Sequence, residues 1–146
     1  MPTPADAVPV QGLSLVLVDD DIDTREMYAS WLEHAGFEVF SADNAESGFD
    51  YAVNHQPRVV VTDHILRHGP TGAELCRRLK DDARTGHIPT LLMTGRAERR
   101  TVEGALGAGC AVVRLKPYLP DAMLADLGAL IRGARIEPFP SEHEPR

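Results

Sequence analysis

The chain has 146 residues, of which 43% are hydrophobic, and its formal net charge is −7. This length suits one domain with a buried core, and the hydrophobic content argues against disorder. The negative charge disfavours broad nucleic-acid binding. No apolar run approaches the ~20 residues that cross a bilayer, and the proline-bearing N-terminus does not look like a signal peptide. We therefore expect a soluble, cytoplasmic protein that binds neither nucleic acid nor membrane.

Short apolar runs, typical of buried strands, alternate with amphipathic segments along the chain. The predicted strands are Leu13–Val18, Phe37–Ala42, Val59–Val61, Ile88–Met93 and Ala111–Leu115. Capping residues predict the first three helix starts, at Asp23 with Glu26, Asp43 with Glu46, and Thr71 with Glu74. The fourth and fifth helices are expected over 97–108 and 121–132. The domain then covers 13–133, with tails at 1–12 and 134–146.

Five strand–helix units with wholly apolar strands indicate a parallel sheet covered on both faces. Right-handed crossovers restrict such a chain to a doubly wound α/β fold, and five strands fit the flavodoxin-like order 2-1-3-4-5. A ligand site is expected at the carboxyl ends of the strands, between the first and third. In the first helix, the spacing of Met27 and Trp31 predicts that both side chains pack into the core.

Chemically distinctive residues follow four of these strands. Asp19 and Asp20 follow the first, Asp63 ends the third, Thr94 ends the fourth and Lys116 follows the fifth. Three carboxylates in one crevice require neutralisation, for which Mg²⁺ with oxygen ligands is the natural choice. An aspartate beside Mg²⁺ can attack phosphorus and form an aspartyl-phosphate. Lysine and threonine could then contact the phosphoryl oxygens, so the set predicts a phosphate-binding cage.

The chain resembles the response-regulator receiver domains of two-component signalling from about Leu13 to Arg132. The matching residues are Val18-Asp19-Asp20-Asp21, Asp63, Leu91-Leu92-Met93-Thr94-Gly95 and Lys116-Pro117-Tyr118. The resemblance implies that Asp63 accepts phosphate from a phosphohistidine of a sensor histidine kinase or histidine phosphotransfer protein. It also implies that Asp19, Asp20, Asp63 and the backbone carbonyl of Ile65 hold Mg²⁺. A cis peptide bond is expected before Pro117.

Several positions depart from the family pattern. Arg67 stands where the family often has a proline, and Thr71 where it often has a glycine, as if one inserted residue had shifted Pro70 and Gly72. Val113 stands where an aromatic residue is usual. Arg96, two residues past Thr94, could overhang the site and screen it from attacking water.

Two pairs of residues are predicted to have no chemical role. Cys76 and Cys110 match no metal-binding spacing, and they are expected to be small buried or half-buried residues in a reducing compartment. His64 and His68 fall in a predicted loop and are interpreted as surface residues.

The short predicted C-terminal tail favours a stand-alone receiver that signals through protein–protein contact or passes phosphate onward. The expected output face is the fourth helix, fifth strand and fifth helix, and homodimer formation is left open. Such a protein is not an enzyme beyond slow self-phosphorylation and autodephosphorylation. Two alternatives remain: a receiver-like scaffold that binds without phosphorylation, and a hydrolase that uses an aspartyl-phosphate intermediate.

Overall fold

The computed structural model describes residues 10–96 and 98–139. The strands are β1 Ser14–Val18, β2 Glu38–Ala42, β3 Val59–Asp63, β4 Thr90–Thr94 and β5 Val112–Leu115. The helices are α1 Ile22–Ala35, α2 Ala45–His55, α3 Gly72–Asp81, α4 Arg99–Gly107 and α5 Pro120–Ile131. The predicted start of the fourth helix at Ala97 lies outside the described residues. Among the residues described, no helix is long and apolar enough to cross a bilayer.

All five strands are parallel and lie in the order β2-β1-β3-β4-β5, which confirms the predicted flavodoxin-like fold. Val18 pairs with Thr62 in the register of β1 and β3, so the residues after β1 lie beside the end of β3. The chain order reverses at this point of the sheet. The crevice beside a reversal is where doubly wound folds bind ligands.

The first two helices begin at capping residues other than those predicted. Asp21 caps α1, and its carboxylate accepts a hydrogen bond of 2.9 Å from the Thr24 amide, whereas the predicted cap, Asp23, lies within the first turn. The turn after β1 is short, and Asp21 already has the extended backbone of a cap. Asn44, and not Asp43, caps α2. The side chain that can reach the free amides at the helix start therefore decides the boundary.

Two other predicted helix boundaries are confirmed. Thr71 and Glu74 form a reciprocal capping box at the start of α3. Gly36 ends α1 with φ of 115°, a left-handed conformation that favours glycine.

Apolar side chains pack on both faces of the sheet. One face is covered by α1 and α5, through residues such as Tyr28, Leu32 and Leu127. The other is covered by α2, α3 and α4. The prediction for Met27 was wrong, because its side chain is 41% exposed and the neighbouring Tyr28 points inward instead. Trp31 is partly buried against the core cluster and meets Tyr28 edge-to-face.

Residues 136–139, here called the C-terminal strap, pack against the edge of the sheet at β5. Ile136 contacts the core on the α1–α5 face, and Phe139 contacts the apolar cluster beneath α4. The Val113 amide of the edge strand β5 donates a 2.8 Å hydrogen bond to the Pro138 carbonyl. This part of the segment expected to be a polar tail therefore makes specific contacts with the domain, and residues 140–146 lie outside the described part of the chain.

Candidate functional site

The ends of β1 and β3 bring three carboxylates together. Carboxylate oxygens of Asp19, Asp20 and Asp63 all lie within 4.8 Å of one another. Because parallel strands present their carboxyl ends at the same edge, residues far apart in sequence converge at one point. The sequence analysis expected this convergence, and the structure brings the three aspartates together.

Asp19 is the most buried member of the cluster, with 1% of its surface exposed. One of its oxygens, Oδ1, accepts a hydrogen bond from the Asp21 amide, while the buried Oδ2 has no hydrogen-bond partner among the described residues. Burial raises the pKa of the Asp19 carboxyl, and the nearby charge of Asp63 adds to the rise. A buried carboxylate oxygen without a donor is a site where a cation would be stabilised.

Lys116 reaches the cluster from the residue after β5. Its Nζ lies 3.0 Å from Oδ1 of Asp63 and 4.0 Å from Oδ2 of Asp19. Burial raises the pKa of Asp63, and Lys116 opposes this rise through its hydrogen bond and charge. Burial alone would lower the pKa of Lys116, but its hydrogen bond and charge interaction with Asp63 produce a net increase. The ammonium is therefore held charged beside the carboxylates.

The cluster fits a hard divalent cation by the nature of its donors. Three carboxylates supply only oxygen ligands, which Mg²⁺ and Ca²⁺ prefer. The two cations Lys116 and Arg67 do not neutralise three carboxylates, and Oδ2 of Asp19 has no hydrogen-bond partner among the described residues. These residues could hold such a metal ion.

Asp20 already has a positively charged partner that the sequence analysis did not identify. The Arg67 amide donates a 2.9 Å hydrogen bond to Oδ2 of Asp20, and the guanidinium Nε lies 3.3 Å from the same oxygen. These residues line a cleft of about 250 Å³ together with Asp43, Asn44 and His68. The departure at Arg67 was visible in the sequence, but its target depends on the path of the loop between β3 and α3.

A close backbone approach shapes the same loop. Gly72, the first residue of α3, donates a 2.8 Å hydrogen bond from its amide to the His64 carbonyl. A Cβ atom at Gly72 would overlap the carbonyl oxygen of Asp63 and lie 3.0 Å from the His64 Cα. Only glycine fits here without moving the backbone that carries Asp63. Compared with the family pattern, Gly72 looks shifted by one position in the sequence. It nevertheless lies directly against the backbone of Asp63.

The remaining candidates lie at or just after the carboxyl ends of β3 and β4. Thr94 is buried at the end of β4, and its Oγ1 accepts a hydrogen bond of 3.3 Å from the Arg96 amide. The Arg96 guanidinium pairs with the carboxylate of Glu98 at 3.2 Å. The side chain of Ile65 is mostly exposed, and the role predicted for its carbonyl stays a prediction. His64 is half-buried, and its Nδ1 has no hydrogen-bond partner among the described residues, whereas His68 is exposed.

Two further expectations can be compared with the structure. The Lys116–Pro117 peptide bond is cis, as the resemblance implies. Cys76 and Cys110 are free and buried, which confirms their predicted burial.

Comparisons with known proteins give a consistent result. The family model for the response regulator receiver domain matches residues 15–127. The chain is 35% identical over 131 residues to the phosphate regulon transcriptional regulatory protein PhoB of Pseudomonas aeruginosa, with 90% of this chain and 56% of the relative covered. It is 33% identical over 123 residues to response regulator Rre1 of Synechocystis, with 84% of this chain and 51% of that protein covered. The chain thus spans about half the length of these relatives.

Solved structures show the same similarity in three dimensions. A two-component response regulator of the LuxR family from Aurantimonas has a TM-score of 0.77 and 25% identity, with 88% of this chain and 91% of that chain covered. Chemotaxis response regulator CheY4 of Vibrio cholerae has a TM-score of 0.75 and covers 82% of this chain and 99% of its own. The second pair is 22% identical, so that likeness concerns the fold alone.

Proposed function

This chain belongs to the response-regulator receiver family of two-component signalling, and we propose that it accepts a phosphoryl group on Asp63 with the help of Mg²⁺. The observation that supports this most directly is the position of the Asp63 carboxylate. It lies within the cluster of three carboxylates, with the Lys116 ammonium at 3.0 Å. Our proposed receiver module spans residues 13–133.

Asp19, Asp20 and Asp63 would hold the Mg²⁺, together with the carbonyl of Ile65. When bound, Mg²⁺ supplies positive charge that offsets the carboxylates and the incoming phosphoryl oxygens. Oδ2 of Asp19, which has no hydrogen-bond partner within the described part of the chain, supports this assignment, because that oxygen gains a ligand without breaking a hydrogen bond. The ion pair between Arg67 and Asp20 would have to weaken as the metal binds.

In the reaction, a carboxylate oxygen of Asp63 attacks the phosphorus of a phosphohistidine. A P–O bond forms while the P–N bond breaks, and the imidazole leaves with the electron pair and takes a proton from solvent. Lys116 would stay beside Asp63 and neutralise one phosphoryl oxygen, and the Thr94 hydroxyl would donate to another. The donor would be a sensor histidine kinase or a histidine phosphotransfer protein.

Hydrolysis of the resulting acyl phosphate by the chain itself would be slow, because receiver domains are not enzymes in the usual sense. Their chemistry records a signal instead of turning over a substrate. The lifetime of the phosphorylated state then depends on how well the loops around Asp63 exclude an attacking water.

The face formed by α4, β5 and α5 would contact the downstream protein target. Thr94 begins the loop into α4, so a Thr94 hydroxyl drawn towards a phosphoryl oxygen would move that loop. Two features support a loosely held α4: Glu98 caps it without a side-chain hydrogen bond, and Gly104 and Gly107 lie within it. Val113 is fully buried in β5 and has no ring that could change orientation. We therefore expect signalling through displacement of the loop and α4.

Mass spectrometry after treatment with a small-molecule phosphodonor and Mg²⁺ tests the proposal. We expect one phosphoryl group on the wild type and none on Asp63→Asn. Asp43→Asn is the matched control, because it removes an exposed carboxylate at the rim of the same cleft and should leave labelling unchanged. Labelling that survives Asp63→Asn would refute the assignment. No labelling of the wild type would favour the alternative of a phosphorylation-independent scaffold.

Lys116→Ala separates phosphorylation from the response to it. We expect this variant to accept phosphate more slowly and to lose the change in amide hydrogen exchange across α4 that the phosphorylated wild type shows. If labelling and the exchange response both stay normal, Lys116 is only a partly exposed surface lysine.

A further inference from the structure

We propose that the surface between β5 and α4 is a docking groove for a short peptide with an aromatic side chain, and that the C-terminal strap occupies this groove in cis. A partner must displace residues 136–139 before it can bind there. The inference rests on the proposed function only in assigning output to this face. The groove and its occupant do not depend on the chemistry of Asp63.

The first element of the groove is the free edge of the sheet. β5 pairs with β4 on one side only, at the end of the strand order. On its other side, the Val113 amide donates a 2.8 Å hydrogen bond to the Pro138 carbonyl. An edge strand with a main-chain donor directed outward can pair with an extended segment. The strap, which bends at Pro138 and Phe139, shows that this edge accepts a main-chain segment through the Val113 amide.

The second element is Arg114, which holds two successive carbonyls of the strap. Its Nη2 donates to the Glu137 carbonyl at 3.0 Å, and its Nη1 donates to the Pro138 carbonyl at 3.2 Å. The Nε of the same guanidinium lies 2.8 Å from Oδ2 of Asp126 in α5, which fixes its orientation. The hydrogen bonds that Val113 and Arg114 donate to the strap all go to main-chain oxygens. They would therefore be equally available to another peptide in the same conformation.

The third element is an apolar surface for one side chain. Phe139 packs against the buried cluster that contains Cys76, Leu92, Val102 and Val113. This cluster joins α3, β4, α4 and β5, and α4 is the element whose displacement we propose as the response. A half-buried phenyl ring is a typical anchor for a peptide in a groove.

These three elements define the partner by its chemistry. It is a segment with two consecutive carbonyls for Arg114, one of which also accepts from Val113, followed by an aromatic side chain for the α4 cluster. The contacts that define this partner are hydrogen bonds to main-chain oxygens and the packing of one ring, and neither uses a charged side chain of the peptide. The strap competes at the high effective concentration of a tethered ligand. If it fills the groove in 90–99% of molecules, the apparent affinity of a partner falls by about 10–100-fold.

Amide hydrogen exchange on the full chain, without Mg²⁺ or phosphodonor, gives the first test. We compare the wild type with Phe139→Ala and use Met27→Ala as a control that removes an exposed apolar side chain from α1. The Val113 amide should exchange at least ~10-fold faster in Phe139→Ala, while Met27→Ala should match the wild type. An unchanged rate at Val113 in Phe139→Ala would overturn the proposal, because the strap would then not depend on its anchor.

The second test uses a fluorescent peptide with the sequence of residues 134–139. We expect it to bind the full-length Phe139→Ala variant at least ~10-fold more tightly than the wild type or Met27→Ala. A peptide in which Phe139 is replaced by alanine should not bind. Equal binding to all three proteins, or binding to none, would refute a cis-occupied docking groove. Both experiments use unphosphorylated protein, so failure of the phosphorylation proposal would leave their outcomes unaffected.

Discussion

Replacing Gly72 by alanine should destabilise the protein and disturb the position of Asp63. The added Cβ would overlap the Asp63 carbonyl oxygen and press on the Cα of His64. Both are backbone atoms, so no side-chain rotation can relieve the contact. The strand end or the start of α3 must move, and the 2.8 Å hydrogen bond from the Gly72 amide to the His64 carbonyl would be distorted.

The net cost follows from two opposing effects. Overpacking of this kind costs about 1–3 kcal/mol, and contact with backbone places Gly72→Ala near the upper end. Alanine restricts the unfolded chain more than glycine does, and this effect stabilises the folded protein by about 0.4–1 kcal/mol. We therefore expect the free energy of unfolding to fall by about 2 kcal/mol, or a melting temperature lower by about 8 °C.

Gly104→Ala is the matched control, because it makes the same chemical change at a glycine within a helix. An added Cβ at Gly104 would meet nothing within 4 Å. Alanine should then stabilise α4 by roughly 1 kcal/mol through its higher helix propensity. Urea unfolding of the three metal-free proteins measures both effects. If Gly72→Ala is as stable as the wild type, or if both variants shift in the same direction, the steric argument is wrong.

Three further variants test other contacts of the site and its surroundings. In metal-free protein, Asp19→Asn should raise the free energy of unfolding at pH 7 by about 1 kcal/mol. This gain should shrink towards pH 4 in urea unfolding, because the raised pKa of Asp19 lets the folded wild type bind a proton before the unfolded chain does. Arg67→Ala should tighten Mg²⁺ binding by calorimetry by at most about 5-fold, since the exposed guanidinium that competes for Asp20 is lost; weaker binding would contradict this. Asp126→Ala should cost about 2 kcal/mol in thermal unfolding, because the half-buried Arg114 guanidinium loses its carboxylate, and a loss under 1 kcal/mol would count against that contact.

The sheet and the convergence of the aspartates could be predicted because both follow from strand pattern. Apolar runs fix which segments are strands, and parallel strands must end at one edge, so Asp63 and Lys116 had to lie near the residues after β1. Main-chain and loop contacts do not follow from the strand pattern in this way. The pairing of Arg67 with Asp20 depends on the path of the loop between β3 and α3. Asp43 and Asn44 are both suitable capping residues, so residue type alone does not decide which of them begins α2.

The C-terminal strap could not be predicted for a related reason. The strap lies in the segment 134–146, whose polar and proline-rich composition is typical of a tail. Its hydrogen bonds to Val113 and Arg114 use carbonyl oxygens that every residue carries. Only Ile136 and Phe139 could have indicated packing, and two isolated apolar residues show no periodicity.

The three consecutive aspartates after β1 face unequal constraints. Asp19 is buried, and the carboxylate of Asp20 pairs with Arg67. The carboxylate of Asp21 caps the first turn of α1. Serine, threonine or asparagine can satisfy a helix start about as well as aspartate. The third position should therefore drift freely among these four residues over evolutionary time while the first two stay acidic. A motif that weights all three equally would overlook true members of the group in which only the third has changed.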